Sequence, residues 1–406
     1  MRQDFTIERL GHMGDGIAPG PLFAPRTLPG ETISAEVSGS QLDDIRIVTP
    51  SPDRVAPPCR HYRSCGGCQL QHASDSFVEG WKLEVVRAAL AAQGIETEWR
   101  PVVTSPPQSR RRATLAVRRT KKGSLAGFHG RASGTIVEIP DCRLLDPALI
   151  AALPLAEALA QAGASRKGEM DVTLTVTRNG LDVLVAGGKP ADTPLRMELA
   201  GLAERHRLAR LTWEDEVVAL REPPVQAFGA AQVAPPPGAF LQATPQGEAA
   251  LLAAVAEITG GAKRVVDLFA GCGTFALPLA AQAEVHAVEG EKAMVQALDQ
   301  GWRQAQGLKK VTSEARDLFR RPLMPDELKR FDAAVIDPPR AGAEAQTAEL
   351  AKAGLPVIAY VSCNPVTFAR DARVLVDAGY SLDWVQVIDQ FRWSVHIELA
   401  AAFRRG

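Results

Sequence analysis

Val265-Val266-Asp267-Leu268-Phe269-Ala270-Gly271-Cys272-Gly273-Thr274 decides the fold. Apolar and β-branched residues run into a turn of small residues, and a helical pattern resumes at Phe275. Strand, glycine turn and helix in that order form the repeating unit of parallel α/β sheets. Gly271 and Gly273 let the backbone pass close to a ligand and leave the first N–H groups of the helix free to meet it. Glu289 ends the following strand, where an acid can accept hydrogen bonds from ribose hydroxyls.

Outward from this turn the alternation persists. Helices are expected over 245–259, 275–281, 292–306, 345–353 and 367–378. Strands are expected over 264–269, 284–288, 333–336, 357–362, 385–388 and 396–403. This pattern predicts a doubly wound, largely parallel sheet. The turn is not G-x-G-x-x-G, which counts against a dinucleotide. Asp267 ahead of G-x-G better fits the S-adenosylmethionine pocket of a class I methyltransferase; a purely structural glycine turn is the plain alternative. Cys272, between two glycines, reads as packing.

The tips of two other expected strands carry chemistry. Cys363 follows the apolar run Pro356–Ser362 and precedes Asn364-Pro365, so a thiol stands at the carboxyl end of a strand, where open α/β sheets bind ligands. Asp337-Pro338-Pro339-Arg340 ends the preceding strand in the same way. A thiolate beside cations is a good nucleophile, whereas a buried free cysteine is otherwise a small hydrophobe. His396-Ile397-Glu398 reads as one period of a strand, which puts His396 and Glu398 on one side. Glu398 then serves as a general base if the fold brings it to the thiol, and as a solvated strand-face acid if it does not.

Upstream of 239 the pattern changes. Residues 1–50 show short alternating runs (5–7, 31–37, 45–48) between the turns Gly14-Asp15-Gly16 and Pro29-Gly30, suggesting a small barrel of OB-like size. Pro50, Pro52, Pro57 and Pro58 suggest a stiff linker. A helix is expected over 79–93 and another near 147–163, with strands near 172–177, 181–186 and 211–212. Gly229–Gly238, with three consecutive prolines, looks like a boundary.

Cys59, Cys65 and Cys68 are spaced C-x5-C-x2-C, and Cys142 stands apart. Four thiolates in one region suit tetrahedral zinc or an iron–sulfur cluster. Paired C-x2-C knuckles are missing, and Gly66-Gly67 leave room and N–H groups near the sulfurs, which tilts the spacing towards [4Fe–4S] and leaves zinc and unligated thiols open. Between 100 and 131 lie Arg100, Arg110, Arg111, Arg112, Arg118, Arg119, Lys121, Lys122 and Arg131, with no acid among them. Such segregation suits phosphates, and Phe128 and His129 suit stacking on unpaired bases; a solvated basic strand is the alternative.

Composition narrows the classes. The chain has 406 residues, 46% hydrophobic and 23% charged, which excludes wholesale disorder and allows two or three domains. Lys plus Arg number 46 against 47 Asp plus Glu, so no uniform basic coat exists and a polyanion must meet a local patch. No apolar run suits a membrane span and the first residues lack a signal core, so a cytoplasmic, monomeric protein with no membrane partner is expected.

Together these motifs resemble one family, the RNA uracil-5-methyltransferases, in particular the bacterial 23S rRNA branch. The resemblance rests on Ser51–Cys59 running into Cys65-Gly-Gly-Cys68-Gln-Leu-Gln-His72, on Asp337–Gly342, on Val361-Ser-Cys-Asn-Pro365 and on His396-Ile-Glu398. It implies a multidomain α/β protein. A class I Rossmann-like methyltransferase domain would occupy 239–406. A central α+β domain over 51–238 would carry the [4Fe–4S] cluster and an RNA-binding surface, with part of 79–110 packing on the methyltransferase domain. An OB-like β-barrel (TRAM-like) would occupy 1–50.

By the same resemblance Cys59, Cys65, Cys68 and Cys142 hold the cluster. Gln242, Phe269, Gly271, Gly273, Thr274, Glu289, Asp317 and Asp337 line the S-adenosylmethionine pocket. Cys363 is the nucleophile, Glu398 the base, and Asp337 lies between donor and uracil. RNA contacts fall to Arg110, Arg111, Arg112, Arg118, Arg119, Lys121, Lys122, Phe128 and Arg131. Thr274 departs from the asparagine common in relatives, Ser109-Arg110-Arg111-Arg112 replaces an aromatic-led strand opening, and Phe391-Arg-Trp-Ser-Val departs from F-P-x-T. The implied activity is C5 methylation of a 23S rRNA uridine in an unpaired or remodelled loop. Its rivals are the same chemistry on tRNA and a non-catalytic RNA-binding iron–sulfur protein.

Overall fold

A sheet described as nine-stranded dominates the carboxyl-terminal half of the computed structural model, which describes residues 2–166 and 168–406. Its order runs Val311–Ala315, Glu284–Glu289, Arg264–Leu268, Ala333–Ile336, Val357–Ser362, Leu399–Arg405, Tyr380–Asp389 and Glu98–Trp99, and Val103–Thr104 also pairs with Tyr380–Asp389. The first five strands are mutually parallel, and Leu399–Arg405 is antiparallel to both of its neighbours. The chain winds outward from Arg264–Leu268 in one direction and resumes at Ala333–Ile336 in the other. A crevice therefore opens beyond the carboxyl ends of these two strands, the place where doubly wound sheets bind ligands.

Both faces of this sheet are covered. Leu251, Val255, Leu277 and Leu298 pack on one side, and Val86, Leu350, Phe368 and Leu375 on the other. The central parallel strands are accordingly the most apolar, with Ala333–Ile336 wholly buried. The helix Pro365–Asp377 starts directly after Cys363 because Asn364 caps it, its side chain accepting from the Val366 N–H.

A seven-stranded sheet lies upstream. Its order is Ile136–Glu138, Ser124–His129, Arg112–Arg119, Glu169–Thr177, Gly180–Ala186, Arg210–Trp213 and Glu216–Leu220. The helices Leu153–Gly163 and Thr193–Arg205 cover it through Leu155, Leu159, Leu199 and Leu202. The amino-terminal residues form a six-stranded sheet around Ile7, Ala24, Ile33 and Leu42. Three of its strands, Arg9–Leu10, Gly16–Ala18 and Leu22–Ala24, were not expected, because two or three residues are too short to show alternation.

Other expectations shift. The proline-rich segment is not a free tether: Arg54 pairs with the buried carboxylate of Glu31, and the Val55 N–H donates to the His72 carbonyl. The stretch 229–238 carries part of a hairpin, Gln226–Phe228 with Ala231–Val233, whose Phe228 and Val233 sink into the carboxyl-terminal core. The expected strand 396–403 begins only at Leu399, so His396 and Glu398 stand on the extended segment leading into it. The helix Asp75–Ala91 and the short strands after it belong to the large sheet, with Val86 and Leu90 in its core.

Lys82 on that helix is fully buried. Its Nζ donates to Asp389 Oδ1 at 2.7 Å and to the Phe391 carbonyl at 3.2 Å. The Phe391 N–H also donates to Asp389 Oδ1, at 2.9 Å. Removing one member strands a buried charge and costs about 3–5 kcal/mol, while removing both is far less costly. Lys82→Met is therefore expected to destabilise strongly in urea titrations followed by tryptophan fluorescence, and Lys82→Met with Asp389→Leu to recover part of the loss. An additive double variant would deny the coupling.

Candidate active site

The glycine turn is built as its sequence requires. Gly271 and Gly273 take φ of 55° and 95°, and Phe269 is also left-handed at 63°. A Cβ at position 273 would come within 2.8 Å of the Leu277 side chain, so only glycine fits there without repacking. Glu289 is fixed by two backbone donors, Gly271 N–H on Oε2 and Glu291 N–H on Oε1, each at 2.9 Å. Asp267 lies beneath the turn, fully buried, and neither carboxylate oxygen has a partner among the described residues. Burial first, then Asp337 and Glu289, push its carboxyl well above the usual range.

A cavity of about 860 Å³ opens above this turn. That volume suits a ligand larger than one nucleobase. Every position expected to line the donor pocket is on its wall: Gln242, Phe269, Gly271, Thr274, Glu289, Asp317 and Asp337, with the exception of Gly273, which lies behind. Cys363, Glu398, His396, Arg340 and Arg110 line the same cavity. The two strand tips are tied together, since Asn364 Nδ2 donates to the Arg340 carbonyl at 2.9 Å. Cys272 is buried, and it too lines this cavity.

The electrostatics of this wall differ from expectation. Cys363 is not a thiolate held by cations: burial, then Glu398 and Asp337, push the thiol up to about 12, and Arg340 opposes them. Burial holds Asp337 and Glu398 above the usual carboxylate range, and for Glu398 repulsion from Asp337 adds to it. Burial lowers His396, as do Arg340 and Arg110, so the imidazole is neutral near pH 7. Two acids that are poor at staying ionised and one thiol that is poor at losing its proton make a site poised to pass protons.

Sequence reasoning missed the residue that joins these groups. Gln390, buried after the strand Tyr380–Asp389, donates from Nε2 to Gln242 Oε1 at 2.6 Å and to Glu398 Oε2 at 3.0 Å. Gln242 Nε2 in turn donates to Asp337 Oδ2 at 3.3 Å. Phe319 was missed too; its ring meets that of Phe269 at 5.4 Å on the cavity wall. Neither sits in a spacing that marks it.

The basic stretch disperses. Arg111 is buried in an ion pair with Glu248 at 2.5 Å and offers no free guanidinium to a phosphate, whereas Arg112 donates to the Gly238 carbonyl and has no ion pair among the described residues. Arg118 and His129 both reach Glu169, Arg131 grips Asp15 of the amino-terminal region at 2.6 Å, and Arg100 pairs with Glu257. Phe128 packs against Cys65 and Cys68 rather than facing solvent for stacking. Arg119, Lys121 and Lys122, at the tip of one hairpin, are exposed with no ion pair among the described residues.

Cys59, Cys65, Cys68 and Cys142 line one small cavity with Gly67, Tyr62 and Phe128, all as free thiols. The Gly67 N–H donates to Cys65 Sγ and the Leu144 N–H to Cys142 Sγ, each at 3.4 Å. Among the described residues no group of three or more Cys, His, Asp or Glu is arranged to hold a metal ion, so the expected cluster site is not shown.

A glycine turn feeding a helix, an acid on the next strand tip and a cavity beyond the switch in strand order define the methyltransferase fold. A Pyrococcus abyssi tRNA (uracil-54, C5)-methyltransferase, solved with S-adenosyl-L-homocysteine, shares this fold at a TM-score of 0.77 and 24% identity, over 98% of this chain and 99% of that one. Residues 232–405 match the tRNA (uracil-5-)-methyltransferase family model. An RNA methyltransferase of Rhizobium meliloti is 46% identical, over 98% of this chain and 99% of its own. The 23S rRNA (uracil(1939)-C(5))-methyltransferase of Halomonas elongata is 35% identical, over 98% and 88% respectively. The chain belongs to the RNA uracil-5-methyltransferase family and is an enzyme of that class.

Glu398→Gln removes the larger of the two acidic influences on the Cys363 thiol, which acts where Glu398 is ionised, above about pH 8. At pH 9, alkylation of Cys363 by iodoacetamide, followed on its own peptide by mass spectrometry, is expected to accelerate several-fold in this variant and to slow in Arg340→Ala. Equal rates in all three proteins would deny that these charges govern the thiol.

Proposed function

We propose that the protein methylates C5 of a specific uridine in 23S rRNA, with S-adenosylmethionine as donor and a covalent bond between Cys363 and C6 of the base. One observation carries this reading: a thiol, the buried carboxyl of Glu398 and the half-buried one of Asp337 line a single cavity with the glycine turn and Glu289. The choice of 23S rRNA is supported by the name of the Halomonas relative, which aligns with nearly the whole chain. The rival substrate is tRNA, on which the Pyrococcus enzyme is named to act.

The chemistry explains why these groups are needed. C5 of uracil is a weak nucleophile. Cys363 loses its thiol proton to solvent, and attack by Sγ then forms an S–C6 bond and turns the C5–C6 π bond into an enolate. C5 then takes the methyl group in line, and the donor sulfur leaves as a neutral thioether. Glu398 accepts the C5 proton, the C5–C6 double bond re-forms and the thiolate departs. A carboxyl held above its usual range is suited to that proton transfer near neutral pH. Asp337, between donor wall and thiol, orients the reacting base. Gln242, Phe269, Gly271, Thr274, Glu289 and Asp317 hold the donor, with Glu289 accepting from ribose hydroxyls. Gly273 gives the turn its shape.

Three domains fit this reading: a TRAM-like, OB-like barrel over 1–50, a central domain over 51–238 and the methyltransferase domain over 239–406, with 75–104 packed on the last. Within the basic stretch, Arg110 on the cavity wall, Arg112, and Arg119, Lys121 and Lys122 at the hairpin tip have no ion pair among the described residues and are the cations proposed to meet RNA. The target base must leave its stack to reach the thiol, so an unpaired or remodelled loop is the expected site. Cys59, Cys65, Cys68 and Cys142 are proposed to hold a [4Fe–4S] cluster. Four thiols around one cavity and N–H groups aimed at two of the sulfurs support this reading.

Nucleoside mass spectrometry of separated 23S rRNA and tRNA, from cells with and without the gene, tests the reading. Loss of 5-methyluridine from 23S rRNA alone is expected; loss from tRNA alone selects the rival, and loss from neither refutes the methylation assignment. Cys363→Ala is expected to abolish turnover while leaving donor affinity, by calorimetry, within a few-fold. Anaerobically purified protein should carry about four irons per chain, and one zinc with no iron would overturn the cluster.

A further inference from the structure

We propose that Gln390 is a positioning residue, whose side-chain amide holds Glu398 by one carboxyl oxygen, leaves the other for the substrate proton, and ties this base through Gln242 to Asp337. This rests on the reading of Glu398 as the base.

The argument begins with the orientation of the amide. Gln390 Oε1 accepts from the Ala243 N–H at 2.8 Å. With its oxygen committed to a backbone donor, the amide presents only N–H groups to its other neighbours. Those two N–H groups go to Gln242 Oε1 and Glu398 Oε2. Gln242 Oε1 is thereby occupied, so its own Nε2 turns to Asp337. A flipped Gln390 would set its oxygen against a carboxylate and its nitrogen against an N–H donor, which the site does not tolerate.

Packing locks this arrangement. Gln390 is 1% exposed, and a Cβ at Gly247 would come within 2.5 Å of its own Cβ, so the helix Pro245–Ile258 presses backbone against it. The preceding residue, Asp389, is held by Lys82. Neither the backbone nor the side chain of Gln390 is free to follow a wandering carboxyl.

The consequence for Glu398 concerns which oxygen works. Oε2 receives a donor, so a proton on the carboxyl belongs on Oε1, which has no hydrogen bond among the described residues. The C5 proton therefore passes to Oε1. Removing the Gln390 donor leaves the carboxyl free to rotate and also disfavours its ionised form, already opposed by burial and Asp337; Cys363, Arg340, Arg110 and neutral His396 face the same space.

Gln390→Met keeps length and shape but has no N–H group. Single-turnover reactions with 23S rRNA carrying the target loop separate formation of the covalent protein–RNA complex from its breakdown. In Gln390→Met formation is expected at a rate close to wild type. Breakdown should slow by about tenfold or more, with its acid limb moved to higher pH. Breakdown at the wild-type rate overturns the proposal. Slow breakdown with an unmoved acid limb also overturns it, since a merely structural role predicts that. If the melting temperature of Gln390→Met falls well below wild type, Gln390→Asn, which keeps the amide one methylene short, is read by the same two criteria. Glu398→Gln run in parallel isolates the underlying reading: if its complex breaks down as in wild type, the base assignment fails whatever Gln390 does.

Discussion

The buried pair of Lys82 and Asp389 is the constraint on which the site depends. Its partners lie 307 residues apart in the chain, one on the helix that leads into the large sheet and one at the end of a long strand. Burying both charges is costly unless their geometry is closely matched. Once matched, the pair fixes the start of the segment 389–398, from which Gln390, His396 and Glu398 project. A second tie reinforces it: the Trp393 carbonyl accepts from the N–H groups of Gln69 and Leu70 at 2.8 and 2.9 Å. The segment that carries the carboxyl is thus anchored both to the large sheet and to the loop following the clustered cysteines. Trp393 accepts a left-handed φ of 60° in doing so.

The second organising fact is the mutual discomfort of the acids. Asp267 and Glu398 are buried and Asp337 is half-buried, and each is held above its usual range by desolvation before anything else. A dry wall of reluctant carboxyls is a costly thing to fold, and it is retained where proton transfer and a cationic ligand give it a use. Under the proposed function the sulfonium charge of the donor enters beside these acids. The resting thiol is kept protonated by the same neighbours, so its activation belongs to the assembled complex rather than to the free protein.

Much of this was legible from residues. Val265–Thr274 announced a parallel sheet, because a glycine turn between strand and helix has few other uses, and the strand tips at Asp337 and Cys363 followed from apolar runs ending in polar residues. The basic stretch misled. Arg111 and Phe128 look like a nucleic-acid surface when written in a line, but Arg111 meets Glu248 and Phe128 packs beside the cysteines. Their acid and thiol partners are distant in sequence, so local charge counting could not find them. His396 and Glu398 were placed on one strand face, whereas the strand starts after them; they still reach the cavity because the extended segment aims there.

The sequence by itself determined the α/β alternation, the nucleoside turn, the thiol at a strand tip and the grouping of four cysteines. These are local properties: periodicity, glycine placement and spacing state them without reference to distant residues. Only the tertiary structure decided the surroundings of Cys363, which cations of the basic stretch are left without an ion pair, and the hydrogen bonds of Gln390. Each of those is set by burial and by partners brought from far along the chain, and a desolvated charge or a committed amide leaves no mark on the linear order of residues.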